Sequence, residues 1–463
     1  MTIHVSDNLI LRSDSYKVSH WRQYPPDTRA VYSYFESRGG RFDHVVFFGL
    51  QYYLKRYFEG LVVKRGHIEQ ADAFFRKHFG DAEGRIFHRE GWEHIVNDHA
   101  GRLPVSIRAV PEGTVVPGHN VLMTIENTDP RCYWLSNYLE TLLVQTWYGC
   151  TVATQSREMK RLILQYLDAT GTPERVGFML HDFGFRGVSS VETAGVGDAA
   201  HLVNFQGTDT LEGIVVARDF YGEEMAAFSI PAAEHSTMTA WGKEHEADAM
   251  ANMLAQFPTG TLACVSDSFD IFQACGDIWG TRLRDRVLAR DGTLVIRPDS
   301  GDPPSVLVRV LDILYDRFGG TVNAKGFKVL DDHVRLIQGD GIDFDMIDRI
   351  LAAMREHGFS ADNIAFGSGG GLLRKLNRDT LKFAFKCSAV QVGREWRDVY
   401  KSPVTDREKE SKRGRLKLVR DEDGTLTTRH ESEPGDDLLV EVFRDGKILA
   451  DWSFAEIRRR AAV

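Results

Sequence analysis

Seven short apolar runs between residues 176 and 371 each end in residues that can bind a ligand or take part in chemistry. The residues at the run ends are His181-Asp182, Gly207-Thr208-Asp209, Glu234-His235, Ser266-Asp267-Ser268, Asp299-Ser300-Gly301, Gly339-Asp340-Gly341 and Gly367 to Gly371. The runs, among them AHLVNF before Gly207, are predicted to be strands, and a helix-like segment follows each one, such as residues 236–257 after His235. Parallel strands that alternate with helices carry their ligand-binding residues at one edge, so these residues are predicted to line a common site.

His235 has the clearest chemical potential in this set. It follows an apolar run, lies next to Glu234 and begins a helix-like segment. A carboxylate from Glu234 or Asp267 would fix the imidazole tautomer and leave the other ring nitrogen as a nucleophile. The alternative is a histidine that only packs or caps the helix.

The glycine run Gly367–Gly371 is predicted to bind phosphate, because successive glycines let backbone N–H groups approach an anion. A tight turn is the alternative. Basic residues that would offset a polyanion's charge are Arg186, Arg297, Arg378, Lys386 and Lys401. Asp299 and Asp340 are suited to sugar hydroxyls or to Mg²⁺, with a capping role as the alternative.

The repeating strand and helix pattern predicts an α/β fold, most economically a closed (β/α) barrel over residues 171–374. An open doubly wound sheet is the alternative. Residues 1–170 and 375–463 are predicted to form a second α/β domain from both termini. Its C-terminal part carries two hairpin turns, Asp423-Gly424 and Asp445-Gly446, and a capping box at Ser453–Glu456.

Composition excludes several classes of protein. The net charge of −9 argues against a general nucleic-acid surface, and the sequence contains no apolar stretch long enough for a membrane helix. The cysteines are odd in number and lack a CxxC pair, which is typical of reduced thiols in a cytoplasmic protein and predicts no zinc or disulfide framework. The charged segment 406–417 is predicted to be a solvated loop, with a lid over phosphates as the alternative.

Nine motifs in order resemble the nicotinamide phosphoribosyltransferases, over residues 8–460. They are SDSYKVSH, HDFGFRGVSS, NFQGTDT, SIPAAEHST, VSDSFDI, IRPDSG, QGDG, FGSGGGLL and FKCS. The resemblance implies the irregular α/β barrel of type II phosphoribosyltransferases. It also implies synthesis of nicotinamide mononucleotide and pyrophosphate from nicotinamide and phosphoribosyl pyrophosphate, with Mg²⁺, in homodimers whose active sites lie at the subunit interface.

The resemblance also implies roles for individual residues. His235 would be phosphorylated by ATP, with Glu234, Asp267 and Asp299 as the other catalytic candidates. The candidate substrate-binding residues are Tyr16, Asp14, Phe183, Arg186, Asp209, Arg297, Gly339, Asp340, Gly369 and Gly370, where Phe183 and the partner's Tyr16 would stack on the pyridine ring. The candidate pyrophosphate and ATP-phosphate contacts are Arg38, Arg378, Lys386 and Lys401, some of them contributed across the dimer. The metal ligands are left open.

Asp209 favours the amide substrate over the acid. A carboxylate accepts a hydrogen bond from the nicotinamide amide but repels the carboxylate of nicotinate. A nicotinate phosphoribosyltransferase is the alternative enzyme. A non-catalytic phosphosugar-binding protein is the alternative of another class.

Overall fold

The computed structural model describes residues 7–402, 405 and 410–463. It divides into two compact units. Within the described residues, the first unit contains 7–154, 219–223 and 377–462, and the second contains 155–218 and 224–376. Residues 406–409 of the predicted charged loop lie outside the described part of the chain.

The N-terminal part of the first unit mixes short strands with helices. Its strands are β1 (Thr28–Ser37), β2 (His44–Val46), β3 (Val105–Ala109), β4 (Val115–Pro117) and β5 (Val121–Asn127). Its α-helices are α1 (Leu50–Tyr53), which continues as a π-helix over Leu54–Phe58, α2 (Arg65–Phe79), α3 (Arg89–Asp98), α4 (Leu135–Tyr138) and α5 (Glu140–Leu143). Helix α6 (Thr146–Thr170) begins in the first unit, and its residues after Thr154 belong to the second. Short 3-10 helices span Leu9–Leu11, Ser15–Arg22 and Pro130–Cys132.

The second unit consists mainly of parallel strands and the helices that follow them. The strands are β6 (Leu180–Asp182), β7 (Gly207–Thr208), β8 (Leu262–Val265), β9 (Leu294–Arg297), β10 (Gly320–Val322), β11 (Lys328–Leu330), β12 (Val334–Gln338) and β13 (Ile364–Ser368). The α-helices are α7 (Val191–Leu202), α8 (Leu211–Tyr221), α9 (His235–Thr239), α10 (Glu246–Gln256), α11 (Ile271–Gln273), α12 (Arg284–Leu288), α13 (Pro303–Phe318), α14 (Phe344–Glu356) and α15 (Gly370–Leu373). A π-helix spans Ala274–Arg282, and 3-10 helices span Pro173–Phe178, Phe185–Gly187, Lys243–His245 and Ala361–Asn363.

The C-terminal part returns to the first unit. It contains the 3-10 helix Arg378–Thr380, β14 (Phe383–Val392), β15 (Glu395–Asp398), β16 (Leu416–Arg420), β17 (Leu426–His430), β18 (Val440–Arg444), β19 (Lys447–Ile448) and α16 (Phe454–Ala461). Both predicted hairpins are confirmed, since Asp423-Gly424 joins β16 to β17 and Asp445-Gly446 joins β18 to β19. The capping box at Ser453 and Glu456 is also confirmed.

A seven-stranded antiparallel sheet forms the centre of the first unit, in the order β15-β14-β1-β5-β3-β18-β19. Strand β1 lies inside the sheet, between β14 and β5, and is buried along almost all its length, so its residues read as a nearly continuous apolar run. Strand β14, which is ten residues long, pairs with β1 from end to end, so the C-terminal part of the chain is an integral part of this sheet.

The parallel strands of the second unit form a closed barrel. Six strands pair in the order β7-β6-β13-β12-β9-β8. The segment from Phe228 to Ala233 then bridges the two edges, since Phe228 pairs with Gly207 of β7 and Ala232 pairs with Ala263 of β8. The predicted closed barrel is therefore confirmed over the open sheet.

Two local predictions in the barrel were wrong. The run AHLVNF before Gly207 was predicted to be a strand, but α7 extends through Leu202 and β7 is only Gly207–Thr208. Its Ala and Leu residues favour a helix, and a buried helix reads as the same apolar run as a buried strand. The helix-like stretch 236–257 is interrupted at Gly242, whose φ of 86° is outside the helical region.

No helix among the described residues has the length and the apolar composition needed to cross a membrane.

Glu112 is a buried carboxyl group of the first unit. Its side chain accepts a hydrogen bond from the Gln51 backbone N–H at 2.7 Å, and burial raises the pKa of Glu112 to about 7. Since this pKa is higher in the folded than in the unfolded chain, the folded chain binds the proton more tightly. The free energy of unfolding therefore falls as the pH rises toward the folded pKa.

We expect Glu112→Gln to remove this pH dependence. Between pH 5 and 7 the wild-type protein should lose about 2 kcal/mol more unfolding free energy than the variant. Urea unfolding at several pH values measures the difference. Glu59→Gln, at an exposed position, is the control, and its unfolding free energy should fall with pH as steeply as that of the wild type. If the unfolding free energies of the wild type and Glu112→Gln changed in parallel with pH, Glu112 would not be the source of the pH dependence.

Candidate functional site at the carboxyl end of the barrel

The predicted site residues of the barrel follow the carboxyl ends of its strands. Phe183 follows β6, Asp209 follows β7, His235 follows the bridging segment, Asp267 follows β8, Asp299 follows β9, Gly339 and Asp340 follow β12, and Gly369 follows β13. All strands of the barrel run in the same direction. The structure therefore places these residues at one end of the barrel.

His235 and Asp267 form a hydrogen-bonded pair at this end of the barrel. The His235 Nε2 lies 2.9 Å from the Asp267 Oδ1, and the Ser300 hydroxyl donates to the other carboxylate oxygen of Asp267 at 2.6 Å. Asp267 is nearly buried, whereas the His235 side chain is 45% exposed. Because an ionised carboxylate only accepts hydrogen bonds, Nε2 carries a proton and Nδ1 has a free lone pair in the neutral ring.

Glu234 has a different local role. It is the N-cap of α9, where its side chain and that of Thr237 form a capping box, and it accepts a hydrogen bond from the Ser236 hydroxyl. Of the two carboxylates suggested by the sequence, it is Asp267 that contacts the His235 ring.

The Phe183 ring forms one side of an interior cavity. A Cβ atom on Gly367 would lie 1.9 Å from this ring, and a Cβ on Gly339 would lie 3.5 Å from it. Gly367 is therefore required for the ring's position. The cavity of about 450 Å³ extends through the barrel, and its inner wall includes Ala263, Val295, Ile337 and Ala365. The two alanines leave space that bulky branched side chains fill in most barrels of this kind.

Asp209 lies at the rim of the same cavity. The Ser229 hydroxyl donates a hydrogen bond to its Oδ1, and the Asp209 backbone N–H donates to the Asp182 carbonyl at 3.0 Å. Asp209 is exposed, so its carboxylate faces solvent and any bound ligand.

A buried carboxyl pair supports the loop that carries Asp209. Asp182 accepts hydrogen bonds from the Gly184 N–H at 2.8 Å and the Thr210 hydroxyl at 2.5 Å, and Asp198 accepts one from the Thr208 hydroxyl at 2.8 Å. Burial, and then the charge of Asp182, raise the pKa of Asp198 well above its usual range. Burial of this pair therefore favours the protonated form of Asp198.

Asp299 and Arg297 form an ion pair at the end of β9. The Arg297 guanidinium lies 3.5 Å from the Asp299 carboxylate. Burial raises the pKa of Asp299, while Arg297 and His235 oppose the rise and the carboxylates of Asp267 and Asp340 add to it. These groups therefore interact as one cluster.

Arg186 and Asp340 are both exposed at the same end of the barrel. Arg186 belongs to the 3-10 helix Phe185–Gly187, which begins two residues after Phe183. The Asp340 carbonyl accepts a hydrogen bond from the Gln338 side chain at 3.1 Å. Their side chains are accessible to a ligand.

The glycine run ends β13 and begins α15. A Cβ on Gly371 would lie 2.2 Å from the Ile342 carbonyl oxygen, so packing requires glycine there. In contrast, a Cβ on Gly370 would meet only the flexible end of Arg374, at 3.4 Å. Packing alone does not explain why glycine occupies position 370.

The predicted phosphate contacts lie together in the first unit. Arg38, Arg378, Lys386 and Lys401 line one cavity of about 880 Å³, which His119 and Lys382 also line. Burial lowers the pKa of Lys386. Glu140 opposes this shift, and the charges of Arg38, Lys401 and Arg378 lower the pKa further. A pocket with this excess of positive charge is suited to a polyanion.

Tyr16 and Asp14 lie elsewhere in the first unit, at the 3-10 helix Ser15–Arg22. Asp14 precedes this helix and accepts a hydrogen bond from the Thr141 hydroxyl at 3.0 Å. The Tyr16 ring is 59% exposed. It therefore presents a large apolar face to solvent or to another molecule.

Several residues of the two cavities were missed from the sequence. Ser229 contacts the Asp209 carboxylate, Asp198 supports the Asp209 loop, and His119 and Lys382 line the basic pocket. Of these residues, only Asp198 could have been identified from the sequence, because a carboxylate among small apolar residues on a buried helix is uncommon.

Family models match most of the chain. Residues 178–447 match the nicotinate phosphoribosyltransferase family, and residues 8–107 match the nicotinamide phosphoribosyltransferase N-terminal domain.

Two solved structures share the fold at low sequence identity. The nicotinate-nucleotide pyrophosphorylase from Pyrococcus furiosus has a TM-score of 0.62 at 15% identity, with 100% of this chain and 96% of that chain covered. The human nicotinic acid phosphoribosyltransferase has a TM-score of 0.61 at 15% identity, with coverage of 97% and 92%.

Bacterial relatives match along the whole chain. The nicotinamide phosphoribosyltransferase of Xanthomonas campestris pv. campestris is 50% identical and covers 99% of both chains. The enzyme of the same name from Acinetobacter baylyi is 33% identical, with 97% of this chain and 96% of that one covered. The chain therefore belongs to the nicotinate phosphoribosyltransferase family, in its nicotinamide phosphoribosyltransferase group.

Proposed function

We propose that this protein transfers the phosphoribosyl group of phosphoribosyl pyrophosphate to nicotinamide, giving nicotinamide mononucleotide and pyrophosphate. The observation that carries this proposal is the arrangement at the end of the barrel. There, the Phe183 ring and the Asp209 carboxylate line one cavity, and the His235–Asp267 pair lies at the same end of the barrel. The similarity to named nicotinamide phosphoribosyltransferases over the whole chain supports the same reaction.

The Phe183 ring orients the pyridine ring of nicotinamide by stacking. Fixing the ring holds its nitrogen toward the anomeric carbon of the ribose, and positioning of this kind lowers the barrier without covalent chemistry on the protein. We further propose a homodimer in which Tyr16 of the partner subunit covers the other ring face. The exposed Tyr16 ring supports this arrangement.

The reaction breaks the bond between the anomeric carbon and the pyrophosphate oxygen as the pyridine nitrogen donates its electron pair to that carbon. Positive charge develops on the sugar and negative charge on the departing pyrophosphate. Asp299 and Asp340 stabilise the ribose by accepting hydrogen bonds from its hydroxyls. Arg297 and Arg186 stabilise the phosphates. The backbone N–H groups of Gly369 and Gly370 bind the 5′-phosphate, and the glycine at position 370, which packing does not require, supports this role.

Mg²⁺ is proposed as the metal of the reaction. The clustered carboxylates of Asp267, Asp299 and Asp340 are a donor set of oxygens, which this ion prefers, and their mutual repulsion would be relieved by a cation. When bound, Mg²⁺ would offset the charge of the leaving pyrophosphate. In the first unit, the pocket of Arg38, Arg378, Lys386 and Lys401 is proposed to bind pyrophosphate or the phosphates of ATP.

Substrate choice is proposed to depend on Asp209. Ser229 donates to one oxygen of this carboxylate, so the other oxygen can accept a hydrogen bond from the amide N–H of nicotinamide. The acid substrate would bring a second carboxylate against Asp209, and like charges in such a site cost several kcal/mol.

Asp209→Ser should narrow the preference for nicotinamide over nicotinate. We expect the ratio of kcat/KM values for the two substrates to fall by about tenfold or more, because the repulsion of the acid is lost together with the hydrogen bond to the amide. Steady-state assays with both substrates measure the ratio. The exposed Asp277→Ser change is the control. An unchanged ratio in Asp209→Ser would contradict this role.

We also propose that ATP phosphorylates His235 and that this stimulates the reaction. Asp267 accepts a hydrogen bond from the Nε2–H group, so the electron pair of Nδ1 is free to attack the terminal phosphorus of ATP. As the bond from Nδ1 to phosphorus forms, the Nε2 proton can pass to Asp267. The bond from that phosphorus to the ADP oxygen breaks, and ADP leaves. The half-exposed His235 ring is accessible to such a large substrate.

Incubation with ATP labelled at the terminal phosphate should give an acid-labile, base-stable label on the protein. His235→Ala should abolish the label, and Asp267→Asn should slow its formation by about tenfold or more because the tautomer is no longer fixed. His245→Ala is a matched control, since His245 also contacts a carboxylate, Asp248, at 2.8 Å. A label that persists in His235→Ala, or that is lost equally in His245→Ala, would contradict the proposal.

A further inference from the structure

Four side chains in the first unit bring metal-binding atoms together. They are His94, His99, Asp129 and Cys132, each of which offers one ligand atom, and these atoms all lie within 4.8 Å of one another. None of the four is among the residues assigned above to either cavity. We propose that they bind a structural Zn²⁺ ion.

Local backbone geometry orients two pairs of ligands. His94 lies in the last turns of α3, and His99 is the residue directly after this helix. Their ring centroids are 5.2 Å apart and their planes are nearly perpendicular, at 87°. Asp129 caps the 3-10 helix Pro130–Cys132, and Cys132 ends it. Because a 3-10 helix has three residues per turn, positions 129 and 132 lie on the same side.

The two histidines already converge on Asp129. The Nε2 atoms of His94 and His99 lie 2.6 and 2.7 Å from the same oxygen, Oδ2 of Asp129. In a tetrahedral zinc site, with bonds of about 2.0–2.3 Å, neighbouring ligand atoms are about 3.3–3.6 Å apart. The two observed separations are shorter than this, and all four ligand atoms lie within 4.8 Å of one another, so small side-chain rotations suffice to form the site.

An outer carboxylate supports the inference. The Nδ1 of His94 lies 2.7 Å from the Asp98 Oδ2, which fixes the proton on Nδ1 and turns Nε2 toward the cluster. Zinc-bound histidines commonly have such a carboxylate behind the ring. A histidine held from behind in this way is oriented as a ligand.

The donor set and its burial favour zinc. Two imidazoles, one carboxylate and one thiol suit Zn²⁺, whereas Mg²⁺ and Ca²⁺ prefer oxygen ligands. Cys132 is fully buried and the His94 side chain is only 6% exposed, while the His99 side chain is 25% exposed and leaves a route for entry. Four protein ligands complete a tetrahedron, which is typical of a structural rather than a catalytic ion.

The bound ion would join two distant parts of the chain. It would link the end of α3 to the segment that follows β5, and Cys132 would release its thiol proton to solvent on binding. Sequence spacing gave no indication of the site, because its single cysteine has no CxxC partner and its ligands come from two separate segments.

Zinc retention by the full-length protein tests the proposal. Protein treated with a chelator, then equilibrated with Zn²⁺ and gel-filtered, should retain about one zinc per chain and unfold at a higher temperature than the chelated form. Co²⁺ in place of zinc should give visible bands of a tetrahedral ion and a thiolate-to-cobalt charge-transfer band.

Cys132→Ser should lose the charge-transfer band and most of the zinc. Cys150→Ser is the matched control, because Cys150 is equally buried in the same core, and it should retain both. His99→Gln, at the most exposed ligand, gives a second test if Cys132→Ser does not fold, and it should also lose zinc. No retained zinc in the wild-type protein, or equal retention in all variants, would show a hydrogen-bonded cluster only and would overturn the proposal.

Discussion

The whole candidate site depends on the parallel direction of the barrel strands. Because every strand ends at the same end of the barrel, residues far apart in sequence, from Phe183 to Gly369, meet around one opening. The bridging segment Phe228–Ala233 closes the barrel and places His235, two residues further on, at that opening. With an open sheet in its place, His235 would follow an unpaired edge and would lack the fixed distance to Asp267.

A high density of carboxylates is the main electrostatic feature of this end of the barrel. Asp299 interacts with Asp267 and Asp340, and the buried Asp182 and Asp198 interact with Asp209. Carboxylates repel a phosphorylated substrate unless cations intervene. The proposed Mg²⁺ and the arginines at the strand ends would therefore be needed to bind phosphoribosyl pyrophosphate at all, as well as to stabilise its leaving group.

The barrel was predictable from the sequence because each of its elements has a local signal. Buried strands read as apolar runs, and the residue types that follow them recur seven times. The AHLVNF run was misread because a buried helix gives the same apolar signal, and the two residues of β7 are too short to show a pattern. The hairpins and the capping box were predictable for the same local reason, since turn and cap residues act within a few positions.

Features that depend on tertiary proximity could not be predicted. The sequence left open whether Glu234 or Asp267 contacts His235. In the structure His235 contacts Asp267, because the Glu234 side chain caps the N-terminus of α9. The support of Asp209 by Asp198 and the convergence of His94 and Asp129 likewise join separate segments of chain. No spacing rule within one segment describes such contacts.

The most direct measurement of the central claim is product formation by the purified protein with phosphoribosyl pyrophosphate and Mg²⁺. Nicotinamide and nicotinate are compared as acceptors, each with and without ATP. The account predicts nicotinamide mononucleotide and equimolar pyrophosphate from the amide, a higher yield with ATP, and far slower turnover of the acid. Turnover of the acid at an equal or higher rate, or no mononucleotide from the amide under either condition, would contradict it.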